Sequence, residues 1–216
     1  MNCLLIAATP VEINPFLSQL RTGKLQHLPV SVDVLITGIG LTATTYSLSR
    51  QLFTKRPDLV IQAGVGGCFD KNIPTGSVMA IKKEAIADQS VIELNSLKTL
   101  FDLKLVPENQ FPFSKGWLVN KQDILKKCRL KKVTGISVNE ITTDRKKVRF
   151  YLDHFSPVVE SMEGAALHYV CLKENIPFIQ LRAVSNYIAE RNKKKWNMKE
   201  SIINLNNELI RLFNQL

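Results

Sequence analysis

PVVESMEGAALHYVCLKENIPFIQLRAVSNYIAE, residues 157–190, contains a helix start with a carboxylate in it and then an apolar run that ends in polar residues. Ser161 is placed to cap a helix running to about Asn175, because Ala165, Ala166, Tyr169, Val170 and Leu172 recur at three- and four-residue spacing as one inward stripe. Pro177 ends that helix. From Phe178 the run FIQLRAVS reads as a buried strand of an α/β sheet, interrupted by Gln180 and Arg182. Ligands of open α/β sheets gather at the carboxyl ends of strands, where Ser185 and Asn186 fall. Glu163 lies in the first turn of the helix, where unpaired N–H groups and the macrodipole favour the ionised carboxylate. Two readings of it are open at this point: a simple helix-end acid, or an acceptor for the two hydroxyls of a sugar diol.

Working outward, NCLLIAA (2–8) is a buried-strand run closed by Thr9-Pro10, and VEINPFLSQL can begin a helix despite Pro15. Glu12 therefore sits just past the carboxyl end of a strand, and taken alone it is an exposed acid of a helix first turn. VDVLITGIGLTATTYSLSRQLF (32–53) reads as strand, glycine turn and helix, with Ala43, Tyr46, Leu48 and Phe53 as the face packed on the sheet. DLVIQAGVGGCF (58–69) is a strand entering a glycine loop that permits close backbone approach to a ligand. SVMAIKKEAI (77–86), WLVN (117–120) and KKVTGISV (131–138) supply further strands, and ITTDRKKVRFYLDHF (141–155) a helix begun by Thr142 or Thr143. Residues 87–116, with Pro107 and Pro112, read as a surface excursion or lid. WNMKESIINLNNELIRLFNQL (196–216) is an amphipathic packing helix with Ile202, Leu205, Leu209 and Leu212 or Phe213 on one stripe. The order predicts one α/β domain over residues 1–216, its central, mostly parallel (mixed) sheet flanked by helices on both faces.

Composition narrows the class. At 216 residues, 45% hydrophobic and 22% charged, the chain is long enough for a single substantial core and lacks the signature of disorder. The formal charge of +10 is concentrated in KKCRLKK (126–132), DRKKVR (144–149) and RNKKK (191–195), which carry no interleaved aromatics, so a solvated basic surface is read rather than a nucleic-acid stripe. Such a surface attracts anionic substrates. Cys3, Cys68, Cys128 and Cys171 form no CxxC pair and read as reduced thiols, and His27, His154 and His168 share no ligand spacing, so no metal is expected. Gly38-Ile39-Gly40 is half of a dinucleotide fingerprint, and no cofactor is expected. No apolar run approaches 18 residues and the N-terminus lacks a charged leader, so no membrane span or signal peptide is indicated and the cytoplasm is expected.

SMEGAA followed about 20 residues later by RAVSN resembles the segment of the nucleoside phosphorylase and nucleosidase superfamily that carries a ribose-binding Met-Glu pair and a purine-binding Asp or Asn. ATPVEI resembles the nucleosidase start, where an acid activates the attacking water. The resemblance covers nearly the whole chain, and within the superfamily it is greatest to the futalosine hydrolases of menaquinone biosynthesis. It implies hydrolysis of the N-glycosidic bond of a purine nucleoside, futalosine first, as a homodimer or higher homo-oligomer. Glu12 and Asn186 would then be catalytic, and Met162, Glu163, Gly64, Val65 and Ile141 would bind substrate. Phosphorylases of the superfamily hold phosphate with an Arg and a Ser where this chain has Gln62 and Val65, and an amide and a valine do not supply charge-assisted donors. For an anionic far end of the substrate, Arg145 and Arg191 are the candidate cations. The rival readings are a methylthioadenosine/S-adenosylhomocysteine-type nucleosidase, a purine nucleoside phosphorylase and, outside enzymes, a basic nucleic-acid-binding α/β protein.

Overall fold

Successive side chains of a strand leave on opposite faces, and the first strand sets the layers of this molecule in that way. In the computed structural model, which describes residues 1–190 and 192–216, the elements in chain order are β1 (Asn2–Ala7), α1 (Pro10–Arg21), β2 (Ser31–Ile36), α2 (Leu41–Thr54), β3 (Leu59–Cys68), β4 (Val78–Ile86), β5 (Ser90–Glu93), β6 (Ser96–Thr99), β7 (Phe113–Ser114), β8 (Trp117–Val119), α3 (Asp123–Lys127), β9 (Lys132–Ser137), α4 (Arg145–Phe155), β10 (Val159–Ser161), α5 (Gly164–Lys173), β11 (Phe178–Tyr187) and α6 (Met198–Phe213). Cys3, Leu5 and Ala7 of β1 pack in one cluster with side chains of α1 and α6. Leu4 and Ile6 pack in another with side chains of α2 and α5. The result is one mixed sheet with helices on both faces.

Pairing within the sheet decides where a site can form. β1 lies parallel to β2 and β3. β3 is parallel to β11 along its length and antiparallel to β10 through Gly67 and Cys68. β11 is antiparallel to β4, while β4 and β9, and β9 and β10, are parallel. Strands β3, β11, β4, β9 and β10 thus close a ring, and the carboxyl end of β3 is held between β11 and β10 after it parts from β1.

Several local expectations shift. The helix expected from Ser161 begins at Gly164, because residues 159–161 are taken up as the short strand β10, although Ser161 Oγ still accepts the Gly164 amide at 3.3 Å. On α2 the buried stripe is Thr44, Leu48 and Leu52, whereas Tyr46 is 66% and Phe53 83% exposed. Leu48 of the expected face is buried, but Tyr46 and Phe53 project from nearly the opposite side of a 3.6-residue period, and the stripe of Thr44, Leu48 and Leu52 is the one packed in the core. α4 starts at Arg145 on a cap from Asp144, whose carboxylate accepts the Lys147 amide at 2.9 Å. Residues 87–116 form the β5–β6 hairpin and a turn containing β7, which pairs with β8. None of them lines the main cleft, so this segment is a surface excursion and not its lid. All four cysteines are buried and unpaired. Among the described residues no helix is long and apolar enough to cross a membrane.

α1 carries Glu12 in its first turn, and α6 holds it by an unusual contact. The buried Asn206 of α6 accepts the Phe16 amide on Oδ1 at 3.0 Å and donates from Nδ2 to the Glu12 carbonyl at 2.9 Å. These are the two backbone groups that an uninterrupted helix would join to each other, one residue from the break that Pro15 makes in the ladder. Asn206→Ala should lower the unfolding free energy by about 1–3 kcal/mol, the cost of leaving buried donors and acceptors unmet. The exposed neighbour Asn207→Ala should change it by less than about 0.5 kcal/mol; denaturant titration of the two variants against the parent checks the difference.

Candidate active site

A cleft of about 350 Å³ opens at the carboxyl ends of β1, β3 and β11, and Glu12, Val65, Ile141, Met162, Glu163 and Asn186 all line it. Six of the seven expected site residues therefore meet in one place. Gly64 lies a step deeper. A side chain there would place its Cβ 2.9 Å from Glu12 Oε1, too close for a carbon, and would collide with the guanidinium of Arg182, so Gly64 makes room beneath the cleft and is not part of its wall.

Arg182 is the residue that the sequence noted as an interruption of a strand and did not place in the site. It is 1% exposed, donates to Gln62 Oε1 at 3.1 Å and to the Val65 carbonyl at 3.4 Å, and meets Glu163 Oε2 at 3.3 Å. Its neighbours Ile179, Leu181 and Ala183 face the α1–α6 layer, so Gln180 and Arg182 both turn the other way. That alternation of polar side chains within an otherwise apolar strand was the available signal.

Glu12 is fixed by three donors: Thr9 N at 3.0 Å and Thr9 Oγ1 at 3.3 Å on one oxygen, and Val65 N at 3.1 Å on the other. Burial pushes its carboxyl above the ordinary range and Glu163 adds to the rise, while Arg182 and the two amides oppose it. A buried base with a raised pKa suits proton abstraction near neutral pH. Glu163 stands immediately before α5, and its second oxygen accepts the Gly40 amide at 3.2 Å. Gly40 presents that amide from a backbone with φ of 94°, which the glycine turn before α2 requires. Each carboxylate oxygen of Glu163 thus has one partner and capacity to accept a further hydrogen bond.

At the far side, Ser185 Oγ donates to Asn186 Oδ1 at 2.8 Å, and Asn186 Nδ2 gives one hydrogen to the Tyr187 carbonyl at 3.1 Å. The amide is thereby turned with one hydrogen bond on its oxygen and one N–H free. Arg145 is exposed and is not part of the cleft, which corrects its candidacy as the substrate's cation, and Arg191 lies outside the described residues. No Lys or Arg is among the described residues lining the cleft, whereas Glu12, Glu160, Glu163 and Glu190 all are. The net positive charge of the chain is therefore carried elsewhere on its surface.

Behind Glu163 lies a second polar layer. Glu84 is 1% exposed; Oε1 accepts from Gln180 Nε2 at 2.8 Å and Oε2 from Ser137 Oγ at 3.2 Å, and Ser137 Oγ in turn accepts the Ala165 amide at 2.8 Å. A Cβ on Gly164 would collide with Glu84 Oε1, which is why a glycine opens α5.

The profile of the phosphorylase superfamily matches residues 6–214, and the chain belongs to that superfamily. A futalosine hydrolase of Streptomyces coelicolor is 27% identical over 184 residues, 82% of this chain and 77% of the relative. A 5'-methylthioadenosine/S-adenosylhomocysteine nucleosidase of Haemophilus ducreyi is 24% identical over 173 residues, 76% of this chain and 70% of the relative. Among solved structures, the Helicobacter pylori 5'-methylthioadenosine/S-adenosylhomocysteine nucleosidase bound to butyl-thio-DADMe-Immucillin-A shares the fold, with a TM-score of 0.81 and 17% identity across 100% of this chain and 99% of that one.

The buried acid Glu84 gives the site a stability signature. Burial raises its pKa from 4.5 to about 7. A raised folded-state pKa contributes stability that is full below the unfolded value and is lost as pH rises through the folded one. Relative to the parent, Glu84→Gln should therefore gain on the order of 2 kcal/mol between pH 5 and pH 8, read from urea unfolding at the two values. A constant difference would show that Glu84 ionises normally.

Proposed function

We propose that the chain is a purine nucleosidase that hydrolyses the N-glycosidic bond, with futalosine as its substrate and hypoxanthine as the released base. The observation that carries the nucleosidase reading is the pair of carboxylates in one cleft, Glu12 held by Thr9 and Val65 and Glu163 paired with the buried Arg182, with the Asn186 amide in the same lining. Cleavage at the anomeric carbon builds positive charge on the sugar and negative charge on the leaving base. Glu12 takes the proton of the attacking water. Glu163 accepts the 2'- and 3'-hydroxyls with Met162 against the sugar, and Asn186 donates to the purine as charge arrives on it.

Water is the nucleophile in this reading. Gln62 is engaged with Arg182, Val65 offers its amide to Glu12, and four carboxylates line the cleft, which together disfavour a phosphate dianion. Glu12→Gln keeps the shape and removes the base, so turnover should fall roughly 10²- to 10⁴-fold with the fold intact. The parent's rate should be the same with and without phosphate. Formation of a sugar 1-phosphate would assign the chain to phosphorolysis instead.

The choice of base turns on Asn186. With Oδ1 held by Ser185, the free group is an N–H donor, which matches the adjacent acceptors O6 and N7 of hypoxanthine. A second reading, a 6-aminopurine nucleosidase of the methylthioadenosine type, is favoured by the absence of a cation among the described cleft residues, since futalosine carries a carboxylate. Catalytic efficiency on futalosine and on its adenine counterpart, aminodeoxyfutalosine, separates the two. Futalosine should be preferred, and Asn186→Asp should narrow or invert the ratio, because a carboxylate beside O6 sets two acceptors face to face. Preference of the parent for the adenine substrate would decide for the second reading.

A further inference from the structure

Behind the cleft a chain of buried polar side chains crosses from α5 to β9, and the proposed chemistry uses none of it. His168 of α5, Gln180 of β11 and Glu84 of β4 are each no more than 1% exposed. His168 Nδ1 is 3.1 Å from the Leu118 carbonyl, the Gln180 amide group is 2.8 Å from Glu84 Oε1, and Glu84 Oε2 accepts Ser137 Oγ at 3.2 Å. Ser137 Oγ in turn accepts the amide of Ala165, two residues after Glu163.

One arrangement of hydrogens satisfies this chain. A carbonyl only accepts, so His168 Nδ1 carries a hydrogen toward Leu118. Burial pulls the His168 pKa down to about 4, so the ring is neutral and its other nitrogen is an acceptor. Gln180 is the side chain beside that nitrogen. With the Gln180 nitrogen on Glu84, the Gln180 oxygen and His168 Nε2 are two buried acceptors, and both are left without a partner. Turning the amide over exchanges two groups of equal size and gives His168 Nε2 its donor. The Gln180 oxygen then meets Glu84 Oε1 across the same 2.8 Å. Two oxygens that close need a hydrogen between them, and only Glu84 can supply it.

We propose that Glu84 is a positioning residue that holds the proton of the site: it stands as a carboxylic acid donating to Gln180 and so leaves Glu12 ionised to accept a proton from water. The assignment rests on the nucleosidase reading above. Three buried carboxylates, Glu12, Glu84 and Glu163, share the field of one guanidinium, that of Arg182. One proton among them relieves the excess negative charge, and the carboxyl that takes it is no longer a base. The surroundings decide which one does. Glu84 faces Gln180 and Arg182 from β11, Ser137 from β9, and Glu163 and the Gly164 backbone from the start of α5, with His168 acting through Gln180. Burial favours the same protonation and raises its pKa to about 7. The hydrogen bonds of Glu12 come instead from donors alone, the Thr9 amide and hydroxyl and the Val65 amide, which favour the ionised form.

Infrared spectra of the full chain and pH profiles of purine release test the two halves of the proposal separately. At about pH 6 the parent should show a carboxylic acid C=O band that shifts in deuterium oxide, fades as pH rises through about 7 and is missing from Glu84→Gln. On futalosine or methylthioadenosine, whichever the parent hydrolyses, kcat/KM should fall toward low pH as Glu12 is protonated. Glu84→Gln keeps a neutral donor at this place and should leave the midpoint of that fall within about 0.3 pH units. His168→Leu removes the acceptor of the Gln180 NH₂, frees it to turn toward an ionised Glu84, and should raise the midpoint by about one unit. Adding Glu84→Gln to His168→Leu should bring the midpoint back. An acid band unchanged by Glu84→Gln overturns the protonated state of Glu84. A midpoint that drops in Glu84→Gln, or stays in place in a folded His168→Leu, overturns its effect on Glu12, and the nucleosidase reading survives either result. Release of purine from neither nucleoside overturns that reading and the role of Glu84 with it. Should His168→Leu fail to fold, the midpoint of Glu84→Gln decides alone.

Discussion

The ion pair between Arg182 and Glu163, with Glu12 close beside it, is the interaction on which the rest of the site depends. A buried guanidinium is tolerated only where charge and hydrogen bonds compensate its lost hydration. Arg182 finds them in Glu163, Gln62 and the Val65 carbonyl. In return it offsets the repulsion between two carboxylates that face one small cleft. Gly64 belongs to the same arrangement, because any side chain at that position would occupy the volume of the guanidinium.

The ring of strands explains how residues so far apart in the chain come together. β3 begins beside β1, which delivers Glu12 through Thr9 and α1, and it ends between β11 and β10, which deliver Asn186 and Glu160. One strand of ten residues therefore supplies the floor from Glu12, bonded at Val65, to Asn186, in register with Gly67. α5 starts directly after β10, so Glu163 emerges at the point where the ring closes. The C-terminal helix has a part in this too, since Asn206 ties the backbone of α1 at the residue that bears the acid.

The cleft also shows how little global charge says about a site. The chain carries a formal charge of +10, yet the described lining of the cleft contains four glutamates and no Lys or Arg. Lysine-rich runs at the surface, such as Lys126 and Lys127, are solvated and pair weakly with nearby acids. The local field at Glu12 is set by burial, the Arg182 guanidinium, two backbone amides and Glu163, which net charge does not register.

Apolar periodicity and turn residues were enough to determine the α/β order, the first strand followed by an acid, the glycine turn before α2 and the polar end of FIQLRAVSN, because each is a local pattern. Glu12, Glu163 and Asn186 also fall at the ends of elements where ligands of such sheets collect, but taken alone the two acids read as ordinary helix-end residues, and the resemblance of ATPVEI, SMEGAA and RAVSN to the nucleosidases singled them out. Other features waited on tertiary structure. Three residues, 159–161, carry too short a pattern to distinguish a strand from the start of a helix, and their pairing with β3 and β9 decided it. Tyr46 and Phe53 are apolar at helical spacing, but only the packing of α2 on α5 determined that Thr44, Leu48 and Leu52 turn inward. Arg182 and Glu160 are charges in buried strands, and whether such a charge is matched depends on atoms more than 15 residues away in the chain: the Arg182 bond to Gln62 spans 120 positions and the Glu160 bond to Thr142 spans 18. The sequence determined which residues reach the ends of the elements, and the closing of the ring decided which of them face one another.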